Sequence, residues 1–333
     1  MLSIVKFPLF DWVVYPLSQE MVSCIPLGEE RIFPVCHTFT ATGRVTFHEP
    51  NVQNIPKDFV IELPDQENKK GDKNARSKVD FTPVMRQLAP FLLELRILAH
   101  LSSDSHLLKV LNDGEDVFKN IASQIYSIEV GEVTNTMRQE AKQICYGIIY
   151  GMSDKTLGEQ LDITEEEAKD FMKQFHGKFP SISKFIQGTV EEARKNGYVV
   201  TLEKRKRFLP EINSPSLAAR GQSERQAVNT CIQGSAADIV KKALISIQES
   251  LIENFPRAPL TLTQRLKGEE TLSGGYLILQ LHDELIYEVS NDDVIQVAQI
   301  VKISMEKTVK LSVSLPVKIK VGPTWGSMQT LNL

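Results

Sequence analysis

No Cys-x-x-Cys pair occurs in the chain; its four cysteines, Cys24, Cys36, Cys145 and Cys231, are scattered. That pattern excludes a structural zinc ribbon and a disulfide framework, and points to a reducing intracellular setting. Nor does any apolar run approach the length of a bilayer span. The apolar opening, Met1 to Trp12, is broken by Pro8 and Asp11, and no small-residue cleavage site follows, so it is not read as a signal peptide. A large excess of one charge is missing too. The net charge of −4 excludes a uniformly basic nucleic-acid binder, though not one that gathers its cations in a cleft.

What is present is ordinary in bulk: 333 residues, 42% apolar and 24% charged, enough for a sizeable core and about two domains. The informative stretch runs from Arg138 to Gly151. Read as a helix, it places Arg138, Lys142, Tyr146 and Tyr150 at successive steps of four. Each step drifts by about 40°, so two cations and two rings share one slowly turning face. Cations suit phosphates and rings suit a sugar and base, which makes a nucleoside triphosphate a fitting ligand. An amphipathic helix with a solvated basic end and half-buried tyrosines is the competing account.

Upstream, residues 1–35 mix short apolar runs with prolines, as strands and turns do. Thr40-Ala-Thr-Gly-Arg44 and Pro50-Asn-Val-Gln-Asn-Ile-Pro56 are turn-rich. Their Arg44, Gln53 and Asn54 are donors able to reach phosphates or minor-groove acceptors, or are simply loop formers. Pro64 to Asp80 has almost nothing to bury and is expected to be a looped or disordered insertion. Helices are expected from near Leu93, over Ser105–Leu111 and Asp116–Tyr126, and after the cap signal Thr164-Glu-Glu-Glu167. Ala168, Phe171, Met172 and Phe175 are expected in the core there, and Ser181–Asn196 continues the helical pattern.

A strand over Tyr198–Leu202 leads into Lys204-Arg-Lys-Arg207, the densest basic run, which is either a solvated loop or a phosphate-tracking patch. A second long helix is expected from Ala218 to Ile252, with Arg225, Asn229 and Gln233 again at steps of four. Such a stripe suits nucleotide edges; a buried polar network is the alternative. After a polar insertion at 255–275, Tyr276 to Val289 reads as two β-runs joined by His282-Asp283-Glu284. Adjacent carboxylates at the tip of an apolar hairpin are costly to desolvate, and a cation would compensate. Oxygen-only ligands favour Mg²⁺ or Mn²⁺. A helix (Val294–Thr308) and a last strand (Val317–Val321) follow, giving an α+β class.

Four of these stretches together resemble the family A DNA polymerases, the family of bacterial polymerase I. In family order they are Thr-Ala-Thr-Gly-Arg with Pro-Asn-Val-Gln-Asn-Ile-Pro; the Arg138–Gly151 helix; Glu224-Arg-Gln-Ala-Val-Asn229 with Gln233-Gly-Ser-Ala-Ala-Asp238; and Leu281-His-Asp-Glu284. The resemblance covers most of residues 29–326. It implies a polymerase right hand with an antiparallel palm sheet and helical fingers: residues 1–103 are the first part of the palm, 104–222 the fingers and 223–333 the second part of the palm. It also implies that the chain starts near the thumb–palm junction, without most of the thumb. Its ligands would be a DNA primer-template, deoxynucleoside triphosphates and Mg²⁺, with no membrane partner. Arg138 and Lys142 would grip the triphosphate, Tyr146 the sugar, and Tyr150 would sit at the template base. Glu94 would exclude ribonucleotides at the sugar 2′ position. Arg44, Gln53, Asn54, Arg225, Asn229, Gln233 and His282 would lie near primer and template; Asp283 would hold metal, with Glu284 beside it. The run Gln143–Met152 and the two insertions resemble the nuclear branch that repairs double-strand breaks by microhomology-mediated end joining.

One departure matters. Family members carry a palm strand ending in Asp-Tyr-Ser-Gln just before Leu93-Glu-Leu-Arg96, whereas Gln87-Leu-Ala-Pro-Phe-Leu92 precedes that helix here. The missing aspartate is the second anchor of a two-metal site, and Asp80 is a poor substitute. Its loss is expected to cost on the order of a thousandfold in rate, and loss of a central strand threatens the sheet. A non-catalytic nucleotide or DNA binder, or a truncated product, is therefore the alternative to an active polymerase.

Overall fold

The computed structural model describes residues 2–5, 34–49, 51, 53, 59–62, 78–81, 91–113, 116–256, 258, 273–281, 283–323 and 327–333. The first half begins with short strands: β1 (Leu2–Val5), β2 (Val35–His37), β3 (Thr46–His48), β4 (Phe59–Glu62) and β5 (Lys78–Phe81). β2 pairs with β3, and β4 with β5, both antiparallel. The end of the expected polar insertion is therefore a strand rather than a loop: Lys78-Val-Asp-Phe81 alternates polar and apolar residues, the period a strand favours. Residues 63–77 lie outside the described set.

A helical body follows: α1 (Phe91–Ser102), α2 (Ser105–Asn112), α3 (Val117–Tyr126), α4 (Asn135–Tyr150), α5 (Asp154–Leu161), α6 (Glu165–Lys178) and α7 (Pro180–Asn196). Its starts follow local chemistry. Asp116 caps α3 by accepting from the Phe118 and Lys119 amides, and Thr134 caps α4 through Met137. Thr164 and Glu167 form the reciprocal capping box expected for α6. Helix α5 had no expectation in the sequence; its eight residues carry only two buried positions, Leu157 and Gly158, too few for a clear period. Ala168 and Phe175 are fully buried with Phe179 and Ile182, while Phe171 and Met172 pack at the margin of the same core.

The hairpin β6 (Tyr198–Val200) and β7 (Lys206–Phe208) leads to α8 (Leu217–Asn229) and α9 (Ser235–Asn254). The single long helix expected here is interrupted by a π-turn at Thr230–Gly234. Two hydroxyls bond back onto the helix at this point, Thr230 Oγ1 to the Gln226 carbonyl at 2.6 Å and Ser235 Oγ to the Cys231 carbonyl at 2.5 Å. Side chains inserted beside the carbonyl ladder are a common cause of such bulges.

The remaining elements are β8 (Gly275–Leu281), β9 (Glu284–Val289), α10 (Val294–Lys307), β10 (Ile319–Gly322) and β11 (Gln329–Leu331). They build a five-stranded sheet in the order β11-β10-β1-β9-β8. It is antiparallel at both edges, but β1 runs parallel to β9 and to β10. Leu2-Ser-Ile-Val5 lies between β9 and β10, beside the acidic hairpin. Its Ile4 and Val5 are β-branched, a residue type that favours strands. One face of the sheet packs Leu285, Tyr287 and Ile319 against Val240 and Ile247 of α9 and Val297 and Val301 of α10.

Candidate nucleotide and nucleic-acid site

The sequence of α4 decides which of its faces is available. Ala141, Ile144, Cys145, Ile148 and Ile149 are buried, while Arg138, Lys142, Tyr146 and Tyr150 are all half-buried. The two rings stack at 5.9 Å between centroids, 18° apart, and Lys142 Nζ stands 6.0 Å from the Tyr146 ring centre. Arg138 Nε bonds Asp116 Oδ2 at 2.8 Å, with its guanidinium over the Phe118 ring. The Asp116 pairing was not legible, since the partners are 22 residues apart; only the capping role of Asp116 has a local signal. Gly151 closes the helix at φ +63, and a Cβ there would lie 2.9 Å from Cγ of Arg225. Arg225 therefore lies against the end of the stripe.

Opposite the two rings sits Glu94 of α1, 1% exposed. It pairs with Arg44 and accepts the Tyr150 hydroxyl at 3.3 Å. Burial pushes its carboxyl above the usual range, and Arg44 only partly opposes this. Burial, with Glu94 second, raises the Tyr150 phenol to about 12.

Arg44 is presented by a tight turn. Gly43 adopts φ +84, its amide bonds the Thr40 carbonyl at 3.0 Å, and Thr40 Oγ1 bonds the Arg44 carbonyl at 2.8 Å. Gln53 joins this loop to the sheet, donating to the Val45 and Gln280 carbonyls at 3.1 Å each.

Asp283 opens the turn into β9. One of its oxygens, Oδ1, is shielded from solvent and has no hydrogen-bond partner among the described residues. Burial raises its carboxyl, while Arg44 pulls it down. Its charge adds, less than burial does, to the upward shifts of Glu94 and Tyr146. Glu284, 5% exposed, begins β9 beside it. Asn229 immediately precedes the π-turn and Gln233 lies within it; Gln233 is buried, and Asn229 Oδ1 is shielded and unpartnered among the described residues. Asn54 and His282 lie outside the described residues.

Among the described residues no group of three or more His, Cys, Asp or Glu side chains could hold a metal. The strand beside β9 reads Leu-Ser-Ile-Val and contains no carboxylate. Asp283 Oδ1, shielded and unpartnered among the described residues, is the one ligand atom of the acidic turn that the geometry leaves available.

A helical body joined to a sheet whose hairpin ends in adjacent carboxylates has the layout of a polymerase-type right hand. The sequence profile of DNA polymerase family A matches residues 16–327, and the chain belongs to that family. It is 42% identical to DNA polymerase theta of Mus musculus over 96% of this chain and 15% of that protein. DNA polymerase theta of Drosophila melanogaster is 38% identical over 95% and 15%, and DNA polymerase I of Geobacillus stearothermophilus 38% over 86% and 30%. The chain thus spans about a seventh of the theta relatives' length. Among solved structures, the POL domain of Pol1 from M. smegmatis, in complex with DNA primer-template and dNTP, superposes with a TM-score of 0.70 at 31% identity. That match covers 89% of this chain and 48% of the other. No described helix is long and apolar enough to cross a membrane.

Proposed function

We propose that the chain is the palm-and-fingers part of a theta-like DNA polymerase that binds a DNA primer-template and deoxynucleoside triphosphates. The observation that carries this reading is the contact of the α4 stripe with Glu94, through Tyr150, where Glu94 also pairs with Arg44. Arg138 and Lys142 neutralise the triphosphate, Tyr146 packs on the sugar, and Tyr150 meets the template base. Glu94, fixed by Arg44 and Tyr150, occupies the space a 2′-hydroxyl would need. Arg44, Gln53, Arg225, Asn229 and Gln233 line the path of primer and template, and the family motif adds Asn54 and His282 as contacts, both outside the described residues. In the reaction the primer 3′-oxygen attacks the α-phosphorus and pyrophosphate leaves. Mg²⁺ would be held by Asp283 with Glu284 beside it. Because Gln87-Leu-Ala-Pro-Phe-Leu92 stands where the family carries its Asp-Tyr-Ser-Gln strand, transfer by this chain is slowed on the order of a thousandfold. The likeness to theta supports a place in the nucleus, in double-strand break repair by microhomology-mediated end joining.

Primer extension and equilibrium binding, run side by side, test both halves. The expected outcome is salt-sensitive primer-template binding and measurable deoxynucleotide binding with feeble extension. Robust extension that Asp283→Ala abolishes would refute the impairment. Absence of binding to either ligand would refute the whole reading.

A further inference from the structure

The basic run of the β6–β7 hairpin splits by the period of two. Lys204 and Lys206 are exposed, whereas Arg205 and Arg207 turn inward. Arg207 donates from Nη1 to Thr230 Oγ1 at 2.9 Å. Arg205 does more. Its Nε bonds Asp238 Oδ1 at 2.8 Å, and its Nη2 bonds the Thr42 carbonyl at 2.7 Å and the Gly234 carbonyl at 3.2 Å. One guanidinium therefore joins the hairpin, the first turn of α9 and the turn that carries Arg44. Both glycines leave room for it: a Cβ on Gly43 would lie 2.7 Å from Nη2, and one on Gly234 would lie 3.0 Å away. Lys241 of α9 adds a second tie to the same segment, Nζ to the Thr38 carbonyl at 3.1 Å.

We propose that Arg205 is a positioning residue, whose hold on the Thr42–Gly43 turn sets Arg44 against Glu94 at the sugar end of the nucleotide site. The inference rests on the nucleotide reading above for what Arg44 and Glu94 do, but not for the hold itself. Gly43 has φ +84, which glycine adopts readily, and the turn's own bonds to Thr40 shape it, but only ties from outside, such as that of Arg205 to the Thr42 carbonyl, fix where it stands. Nothing in the short β2–β3 ladder reaches it, since the pairing involves only Val35–His37 and Thr46–His48. Removing Arg205 frees the turn, and Arg44 then leaves the buried Glu94 carboxylate, which is the wall of the sugar pocket. Lysine cannot replace it fully, because a single ammonium lacks the planar fork that serves Asp238 and two carbonyls together.

The test uses the full chain and two readouts. Amide exchange at Gly43 is followed in the parent, Arg205→Ala, Arg205→Lys and Arg207→Ala. Loss of charge-assisted hydrogen bonds is expected to speed Gly43 exchange on the order of tenfold in R205A, less in R205K, and not in R207A. If R205A does not fold, R205K must still exceed R207A. Unchanged exchange in the Arg205 variants, or equal change in R207A, overturns the proposal. In parallel, the ratio of ribo- to deoxynucleoside triphosphate dissociation constants is expected to fall about threefold or more in R205A. Faster exchange with an unchanged ratio also overturns the proposal. Faster exchange in a protein that binds no nucleotide in any form overturns the nucleotide reading, and with it the sugar-pocket role, while the hold on the turn stands.

Discussion

Tyr150 and Glu94, fifty-six residues apart, meet through a phenol-to-carboxylate hydrogen bond of 3.3 Å. The contact joins the last turn of α4 to the first turn of α1 and leaves Glu94 buried between Tyr150 and Arg44. A carboxylate so enclosed, with one cation on one side, binds its proton more tightly than in the unfolded chain.

The sign of the pH dependence follows. Glu94 has its pKa raised on folding, so its contribution is full below the unfolded value of about 4.3 and is lost as pH rises through the folded value. Glu94→Gln is expected to remove that loss, giving a flatter melting temperature against pH above the carboxylate range. Asp283 shifts in the same direction, so Asp283→Asn flattens the profile further. Thermal melts of both variants from mildly acid to neutral pH check this.

Asp116 behaves oppositely. Its carboxyl is lowered, although burial opposes this, by the Arg138 pairing and by the Lys119 and Phe118 amides. Its contribution is present above the usual aspartate range and is lost as pH falls through the folded value. Asp116→Ala is expected to destabilise the protein by about 1 kcal/mol, the typical worth of an N-cap. Asp116→Asn, which keeps the cap acceptor, is expected to lose less. Urea unfolding of the two separates the cap from the ion pair.

Lys142→Ala is expected to weaken deoxynucleoside triphosphate binding by roughly tenfold, the scale of one charge-assisted contact, with stability almost unchanged. The corresponding nucleoside, which has no phosphates, is expected to bind both proteins equally. Titration calorimetry with the two ligands distinguishes a phosphate grip from general damage.

Gly151→Ala places a β-carbon at φ +63 and 2.9 Å from the Arg225 side chain. A destabilisation of about 1 kcal/mol or more is expected from the left-handed conformation alone. Primer-template affinity is expected to fall as well, because Arg225 must move. Equilibrium unfolding and DNA binding at two salt concentrations measure the two effects.

Local chemistry was legible in the chain by itself. The α4 stripe follows from spacing, because helical period alone fixes which side chains share a face. The caps at Thr164 and the acidic hairpin tip follow from short-range signals, and Arg138, Lys142, Tyr146 and Tyr150 fall where that period puts them. Glu94 was singled out through resemblance, and Arg205 only as one member of a charge run.

What only the tertiary structure decided is which distant groups meet. Strand pairing across some 280 residues put Leu2–Val5 beside Glu284–Val289, and no local signal specifies a partner so remote. The π-turn at Thr230 set the course of the second long helix. Arg205 became an inward anchor rather than a surface cation because the hairpin's register points alternate side chains to opposite faces, with acceptors at Thr42, Gly234 and Asp238 waiting on one of them. Residue type and period govern faces and caps; long-range partners are chosen by packing, and packing belongs to the whole chain.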